Sequence, residues 1–541
     1  RDLSPKALYL SPWTGAAWTL RNAVDYMVTA SRATLKYAAR NREDILYNRY
    51  QSGRNTIEKY RTSAPYAYIV PQVQHDPVAP VELLRRLAFM GVRISQADRD
   101  VTYEGVAYPK GTWVIPMDQE YAELVRELLE VQKYPDAGED TPYDAAGWTL
   151  PFQMNVNVVE GKTPLSAEFR ASLKAVQGKA VDWRSAKDEP FSTNATAAGI
   201  EPLAGGTTGT GDVVTLDPAQ NNAFRLINRA LADGGSLRFE QGSSRQSGRY
   251  TLSGVDRGKL DAWTTELSVR AERTSAPASG AAVATRIALY KGRPGDMDEG
   301  WTEWLLDTHG YKYTLVTPAD LQGGNLNARF DVIVFASQGL GAGGGRGGGR
   351  GGRGAAAPPD STAPPDPTVR AVNEFVRAGG TAVFWNGGAA SAINALQLPV
   401  RNVVLGLPRA QFFTGGSIMR VITDPAHPVM SGMPELSDVM VFNSPVFTTL
   451  PAFEGSVLAK YPGDVSPLRS GFLNGEKSMK GYAAALDVKR DRGHVILIAF
   501  QPQWRGQPTG TFRVVFNAMF FSGEVAGQAK GTPGFWSPPP G

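Results

Sequence analysis

Between residues 281 and 525, short apolar segments alternate with helical ones, and this alternation constrains the fold more than any other feature of the chain. Arg286–Tyr290, Thr314–Val316, Asp331–Phe335, Thr381–Trp385 and Val495–Phe500 read as strands. Residues 297–309 (with Trp301, Trp304 and Leu305), 367–378, and a segment holding Phe512, Val515, Phe516 and Met519 read as helices. Strands that are apolar on both faces must be covered on both faces, which predicts a parallel sheet sandwiched by helices. One insertion interrupts it. Residues 341–354 are Gly and Arg with one Ala, and Pro-rich sequence runs on to 367. Such composition buries too little apolar surface to order itself, so 339–367 reads as a disordered surface loop; RGG-like contact with RNA is the alternative.

Upstream, the pattern is less regular. Leu20, Val24, Met27, Val28 and Leu35 share one face of a helix, and that stripe is expected to pack on something. Residues 1–62, with the aromatic entry Tyr9, Pro12, Trp13 and Trp18, therefore read as the helical tail of a domain. In 63–160 the expected order is strand Tyr66–Val70, a helix capped by Asp76 with Pro77 in its first position, strand Val92–Ser95, strand Thr112–Ile115 and a helix near 118–131. Residues 161–280 read as a second small α/β unit, with Phe224, Ile227 and Leu231 on one helix face, a strand Ser236–Phe239, and loops around 192–211. Residues 526–541 are left as a tail. The fold class is thus α/β and multidomain: small α/β modules followed by a flavodoxin-like parallel-sheet domain.

Composition removes several functional classes. A 541-residue chain with a net charge of only +4 lacks the basic bias of a dedicated nucleic-acid binder. No apolar run reaches the ~20 residues of a membrane span. There is no Cys, and the four histidines (His75, His309, His427, His494) start neither His-x-x-Glu nor His-x-x-x-His. No metal site and no catalytic residue is assigned. Nor is there a Gly-x-Ser-x-Gly elbow or a phosphate-binding Gly-x-x-x-x-Gly-Lys loop. The opening Arg1-Asp2-Leu3 reads as a processed or truncated start.

Two clusters remain as ligand-binding candidates. Asp296, Asp298 and Glu299 open a helix just after a strand, where carboxylates bind a cation or a hydroxyl, or simply cap the helix. Gln501, Gln503, Trp504 and Arg505 follow the Val495–Phe500 strand, and ligands of open α/β sheets collect beyond strand carboxyl ends. Trp beside Arg suits a sugar face or a carboxylate, and the competing reading is a structural corner. Asp424–His427 and Asp491–His494 read as turn hydrogen bonds, and Asn194-Ala195-Thr196 matches a glycosylation acceptor.

Several phrases resemble one family. Ala30-Ser31-Arg32-Ala33, Leu46-Tyr47-Asn48, Tyr66–Pro71, Pro142–Pro151, Met297–Thr302 and Pro502–Pro508 look like the C-terminal portion of large bacterial M14 (zinc carboxypeptidase-like) proteins. The resemblance implies a secreted or periplasmic setting and an upstream zinc domain, with no zinc ligand and no other cofactor in this chain. Residues 281–525 are also similar to class I glutamine-amidotransferase-like domains. That family's nucleophile is a Cys on a strand-to-helix turn; here the turn reads Asn386-Gly387-Gly388-Ala389, and Gln501-Pro502-Gln503-Trp504 stands where the His and Glu would follow a later strand. Asn386 joins the candidates on that basis. The implied role is binding, of a peptide or glycan, or assembly into a homo-oligomer or extended structure. A hydrolase with an unrecognised site stays as an alternative.

Overall fold

In a computed structural model the described residues are 4, 13, 17–135, 141–176, 199–284, 286–292, 296–340 and 366–539. The Gly/Arg/Pro insertion beyond Leu340, the Asn194-Ala195-Thr196 triplet, and Tyr9 and Pro12 lie outside them.

The chain begins with two helices, Leu20–Arg40 and Arg42–Thr62. Thr19 starts the first with a reciprocal capping box, its hydroxyl accepting from the Asn22 backbone while Asn22 bonds back to Thr19. Its apolar stripe is not covered by the described residues: the helix has no buried residue, and Leu20, Met27 and Leu35 are about 70–80% exposed. The second helix buries Gly53 and Tyr60 against the next unit.

Behind it stands a five-stranded antiparallel sheet, ordered Val159–Gly161, Ala67–Val70, Trp113–Pro116, Ser95–Ala97 and Leu173–Ala175. Its outer strands carry this unit to Ala175, beyond the expected limit at 160. The Val92–Ser95 strand is displaced to Ser95–Ala97, because Gly91 (φ 95°) turns the chain and Val92 and Ile94 go into the core before pairing begins. The capping expectation also shifts: the helix is Ala79–Phe89 with Val78 at its cap, and Asp76 instead accepts the Val78 amide at 3.1 Å.

A second sheet runs Ala281–Ala282, Ser236–Glu240, Arg249–Ser253, Val213–Leu216, Arg270–Thr274, Gly206–Gly209 and is backed by the amphipathic helix Asn221–Ala232. Phe224, Leu226, Ile227 and Ala230 of that helix join one continuous core with Val515, Phe516 and Phe520, which welds this sheet to the next.

The third sheet carries the site. Its parallel half is ordered Tyr313–Val316, Ile287–Tyr290, Val332–Phe335, Thr381–Trp385, Gly493–Ile498, in chain terms 2-1-3-4-5. This is the flavodoxin-like doubly wound order, with its switch point between the first and third strands. Helices Met297–Thr308 and Pro367–Arg377 cover it, and Val332–Phe335 and Thr381–Trp385 are buried throughout. Sequence reading missed the other half, an antiparallel extension through Ala483–Arg490, Gly455–Lys460, Ser417–Thr423 and Leu436–Val441.

Asp76 ties the three units together. Its second carboxylate oxygen accepts the Asn221 amide at 3.0 Å and lies 3.7 Å from Arg513 Nη2, both side chains being buried. Arg513 Nη1 donates to the Gly432 carbonyl at 3.0 Å, to which His75 Nε2 also bonds at 2.7 Å. The segment after residue 526 is likewise anchored: Thr532 donates from its amide and hydroxyl to Asp424 at 2.6 and 2.7 Å, and Trp536 donates to the Gly481 carbonyl at 2.8 Å.

Candidate functional site

The strand carboxyl ends of the parallel half gather most of the residues singled out from sequence. Asp296 caps the Met297–Thr308 helix, one oxygen accepting the amides of Asp298 and Glu299 at 3.1 Å each. The capping alternative therefore describes Asp296. Asp298 and Glu299, in the helix's first turn, have other surroundings. Burial pushes the Asp298 carboxyl up to about 6, with the neighbouring Ser337 hydroxyl partly offsetting it. Burial likewise raises Glu299, with Glu303 beside it, against Lys291, whose ammonium lies 3.2 Å from Glu299 and 2.9 Å from Glu303.

Gln503 reaches this helix from the far side of the sheet. Its Nε2 donates to the Asp298 carbonyl at 3.1 Å and to the Thr302 hydroxyl at 3.2 Å, which leaves its buried Oε1 with no protein partner. Gln501 is held by its backbone, donating to the Met440 carbonyl at 2.9 Å, and among the described residues its Oε1 also has no partner. Trp504 is buried with the Arg505 guanidinium 4.6 Å over its ring, and Arg505 lies 3.7 Å from Asp144. The cation thus lies against the aromatic face. Gly506 (φ 67°) allows the corner: a Cβ there would stand 3.0 Å from Trp304 and 3.2 Å from Trp301.

Asn386 sits where the Thr381–Trp385 strand turns into the Gly387–Ala395 helix, at φ 48°, ψ −121°, a conformation that costs a non-glycine residue of order 1–3 kcal/mol. Its Oδ1 accepts the Ser444 hydroxyl at 2.8 Å. Ser337, just past the Val332–Phe335 strand, and Arg505, in the Trp504–Gly506 turn, also have positive φ. Positive-φ residues and incompletely bonded polar groups thus occur together along this edge.

Sequence reasoning missed two members of this edge. Ser337 and Gln338 follow the Val332–Phe335 strand, opposite Asp298 across the switch point. Gln338 Oε1 accepts the Gly292 amide at 2.7 Å, and among the described residues its buried Nε2 has no partner. The usable signal was their position: polar residues directly after a wholly apolar strand. It also missed Asp487, buried within Ala483–Arg490 and flanked by two imidazoles, His494 Nδ1 at 2.8 Å from one oxygen and His427 Nε2 at 3.3 Å from the other. Burial pushes this carboxyl up, but the two histidine bonds outweigh it and hold it at about 2. The Asp424–His427 turn exists, as a backbone bond from His427 to Asp424 at 3.1 Å, while the ring serves Asp487.

Elsewhere, a shallow groove of about 500 Å³ runs along Asn48, Ser52, Asn55 and Lys59, and its charged pair is closed, Lys59 to Glu123 at 2.6 Å. Among the described residues no cluster of three or more His, Asp or Glu is arranged to hold a metal ion, and no helix is long and apolar enough to cross a membrane.

No family model and no curated protein matches the sequence. Solved structures resemble it over less than half its length. A β-galactosidase from Bacillus circulans is 10% identical over 44% of this chain and 31% of its own, with a TM-score of 0.27. PurLQS from Thermotoga maritima is 12% identical over 43% of this chain and 96% of its own, TM-score 0.27. A protein named for a GMP synthase subunit, from Thermoplasma acidophilum, is 12% identical over 43% of this chain and 94% of its own, TM-score 0.26. The chain spans about a third of the galactosidase's length. Similarity at these scores carries no argument, and the α/β class rests on the 2-1-3-4-5 strand order itself.

Proposed function

We propose that this chain acts by binding, as the non-catalytic C-terminal region of an exported protein related to the M14 metallopeptidases. Zinc, on this reading, belongs to a separate domain upstream, and the present chain needs no cofactor. The observation that carries the reading is Asn386. The strained turn that presents a nucleophile in amidotransferase-like domains holds a carboxamide here, tied to Ser444 at 2.8 Å. A carboxamide is no nucleophile, yet the residues around it retain buried polar atoms that only a ligand or water can satisfy. Purified chain should hydrolyse neither peptide nor amide substrates, with or without chelator. Turnover that survives chelation would overturn the proposal in favour of a hydrolase.

The bare stripe on the first helix favours a second reading, assembly into a homo-oligomer or an extended extracellular structure. Trp18, Leu20, Met27 and Leu35 are exposed on or beside one 21-residue helix, a larger apolar face than isolated surface residues explain. Sedimentation distinguishes the two: large uniform particles favour assembly, and a monomer at micromolar concentration argues against it.

A further inference from the structure

The chain's positive charge is concentrated at one end. The helices Leu20–Arg40 and Arg42–Thr62 hold nine cations against four carboxylates, a surplus of five, while the whole chain nets only +4. On the first helix the charges are also segregated. At 3.6 residues per turn, Arg21, Asp25, Arg32, Lys36 and Arg40 all fall within about 100° of its circumference, and the remaining arc carries no charge. Asp25 is taken by Arg21 at 3.0 Å, and Arg32, Lys36 and Arg40 have no carboxylate partner among the described residues. Leu20, Val24, Met27, Val28 and Leu35 lie on the uncharged arc and are exposed. Where the helix begins, Trp18 stands edge-on to Trp13 with ring centres 4.9 Å apart, and beside Tyr26 at 5.3 Å. These rings have an apolar body and a polar tip.

Such a surface restricts its partner. A nucleic acid would meet the cations and leave the apolar arc bare. An apolar face would cover the arc and leave the cations unmatched, and a second copy of the helix brings the same surplus. An acidic protein groove needs large anchor side chains along the whole helix, but between Val28 and Leu35 the uncharged arc offers only Ala30, Ser31 and Thr34. An anionic bilayer meets every demand in one plane. A helix lying at its interface sinks the apolar arc below the phosphates and keeps cations and ring tips at their level. The helix is 21 residues, about 30 Å, long and buries none of them, so no packing among the described residues has to break for it to lie flat. It is not apolar enough to cross instead.

We infer that the Leu20–Arg40 helix is a peripheral membrane anchor, lying in the plane of an anionic lipid surface with its Leu20, Met27 and Leu35 side inserted and Arg32, Lys36 and Arg40 at the phosphates. This goes beyond the binding and assembly readings above and depends on neither. The test floats the whole chain with vesicles of phosphatidylcholine alone and of phosphatidylcholine with an equal part of phosphatidylglycerol, and follows tryptophan fluorescence. The chain should float with the anionic vesicles, at least tenfold more weakly with the neutral ones, with a blue shift of tryptophan emission and a loss of binding as salt rises. Two variants locate the contact: Leu20→Gln, Met27→Gln and Leu35→Gln combined, and Arg32→Gln, Lys36→Gln and Arg40→Gln combined. Both change only exposed side chains and keep good helix formers, so far-UV circular dichroism should be unchanged while each weakens flotation at least tenfold. Loss of flotation in the charge variant alone would mean adsorption of a positive surface and would overturn insertion. Flotation untouched by both variants would overturn the location. No flotation with anionic vesicles would overturn the inference outright, and a wild type that then self-associates where the apolar variant does not would give the stripe to a second copy.

Discussion

Two carboxylates of the last domain, one buried and one half-buried, make opposite use of the same chemistry. Asp487 has both oxygens filled by protein, His494 on one and His427 on the other, and is held at about 2. Asp298 has a neighbouring Ser337 hydroxyl and a carboxylate at Asp296, and burial drives it to about 6. The protein completes the first environment and leaves the second deficient. A polar group closed by its own chain is part of the framework. One left short at a strand end, beside strained backbone, is held ready for something else.

The closed class should be the more costly to break, and Asp76 the most costly of all. It sits in one unit and serves Asn221 of the second and Arg513 of the third. Asp76→Ala leaves the Arg513 guanidinium buried without its carboxylate, a loss of about 3–5 kcal/mol. Urea unfolding followed by tryptophan fluorescence should show a lower midpoint and separation of the units' transitions. A midpoint within experimental scatter of wild type would show that this junction is not what couples them.

The two carboxylates themselves should respond to pH with opposite signs. Asp487 lies below its ordinary value of about 3.9 when folded, so its contribution is full above pH ~4 and lost as pH falls toward 2. Asp487→Asn should therefore cost roughly 2–3 kcal/mol at pH 7, and the difference from wild type should shrink across that acid window. Asp298 lies above its ordinary value, so its charge is a penalty present above pH ~6 and relieved as pH falls toward 4. Asp298→Asn should stabilise the chain at pH 7 by roughly 1–2 kcal/mol, with no gain below pH 4. A variant that is destabilised at pH 7 would place Asp298 among the closed groups and end the contrast.

Elements whose signal is local were legible in the sequence. The Thr381–Trp385 strand occurs with the expected bounds, and the helices at 297 and 367 begin where expected, each under an Asp cap. The antiparallel extension was not legible. Ala483–Arg490 is a strand whose first three residues are Ala, so its conformation comes from pairing with Gly493–Ile498 rather than from propensity. The site was legible by halves. Asp298, Asn386 and Gln503 were found because each follows a strand or a strand-to-helix turn, and Gln338 met the same criterion without being recognised. Asp487 gave no local signal, since one of its histidines lies 60 residues away. Asp76 was read as a cap because its nearest amide suggests one, while its larger role depends on Asn221 and Arg513, 145 residues and more downstream.

The first helix marks the open limit of the comparison, and it should give the smallest effect. Its apolar stripe has the spacing of a core-facing helix, yet no residue in it is buried, and its stability within the chain derives from the Thr19 cap and internal bonds. Replacing Leu20, Met27 and Leu35 together with Gln removes three exposed side chains and no packing. Glutamine propagates a helix nearly as well as leucine or methionine, so the unfolding midpoint should move by less than about 0.5 kcal/mol in equivalent free energy. Sedimentation of the same variant separates stability from association. If wild type self-associates and the triple variant does not, at unchanged stability, the stripe serves a contact between molecules. A stability loss of several kcal/mol in a monomeric chain would instead mean that the stripe is covered in solution by this chain's own surface.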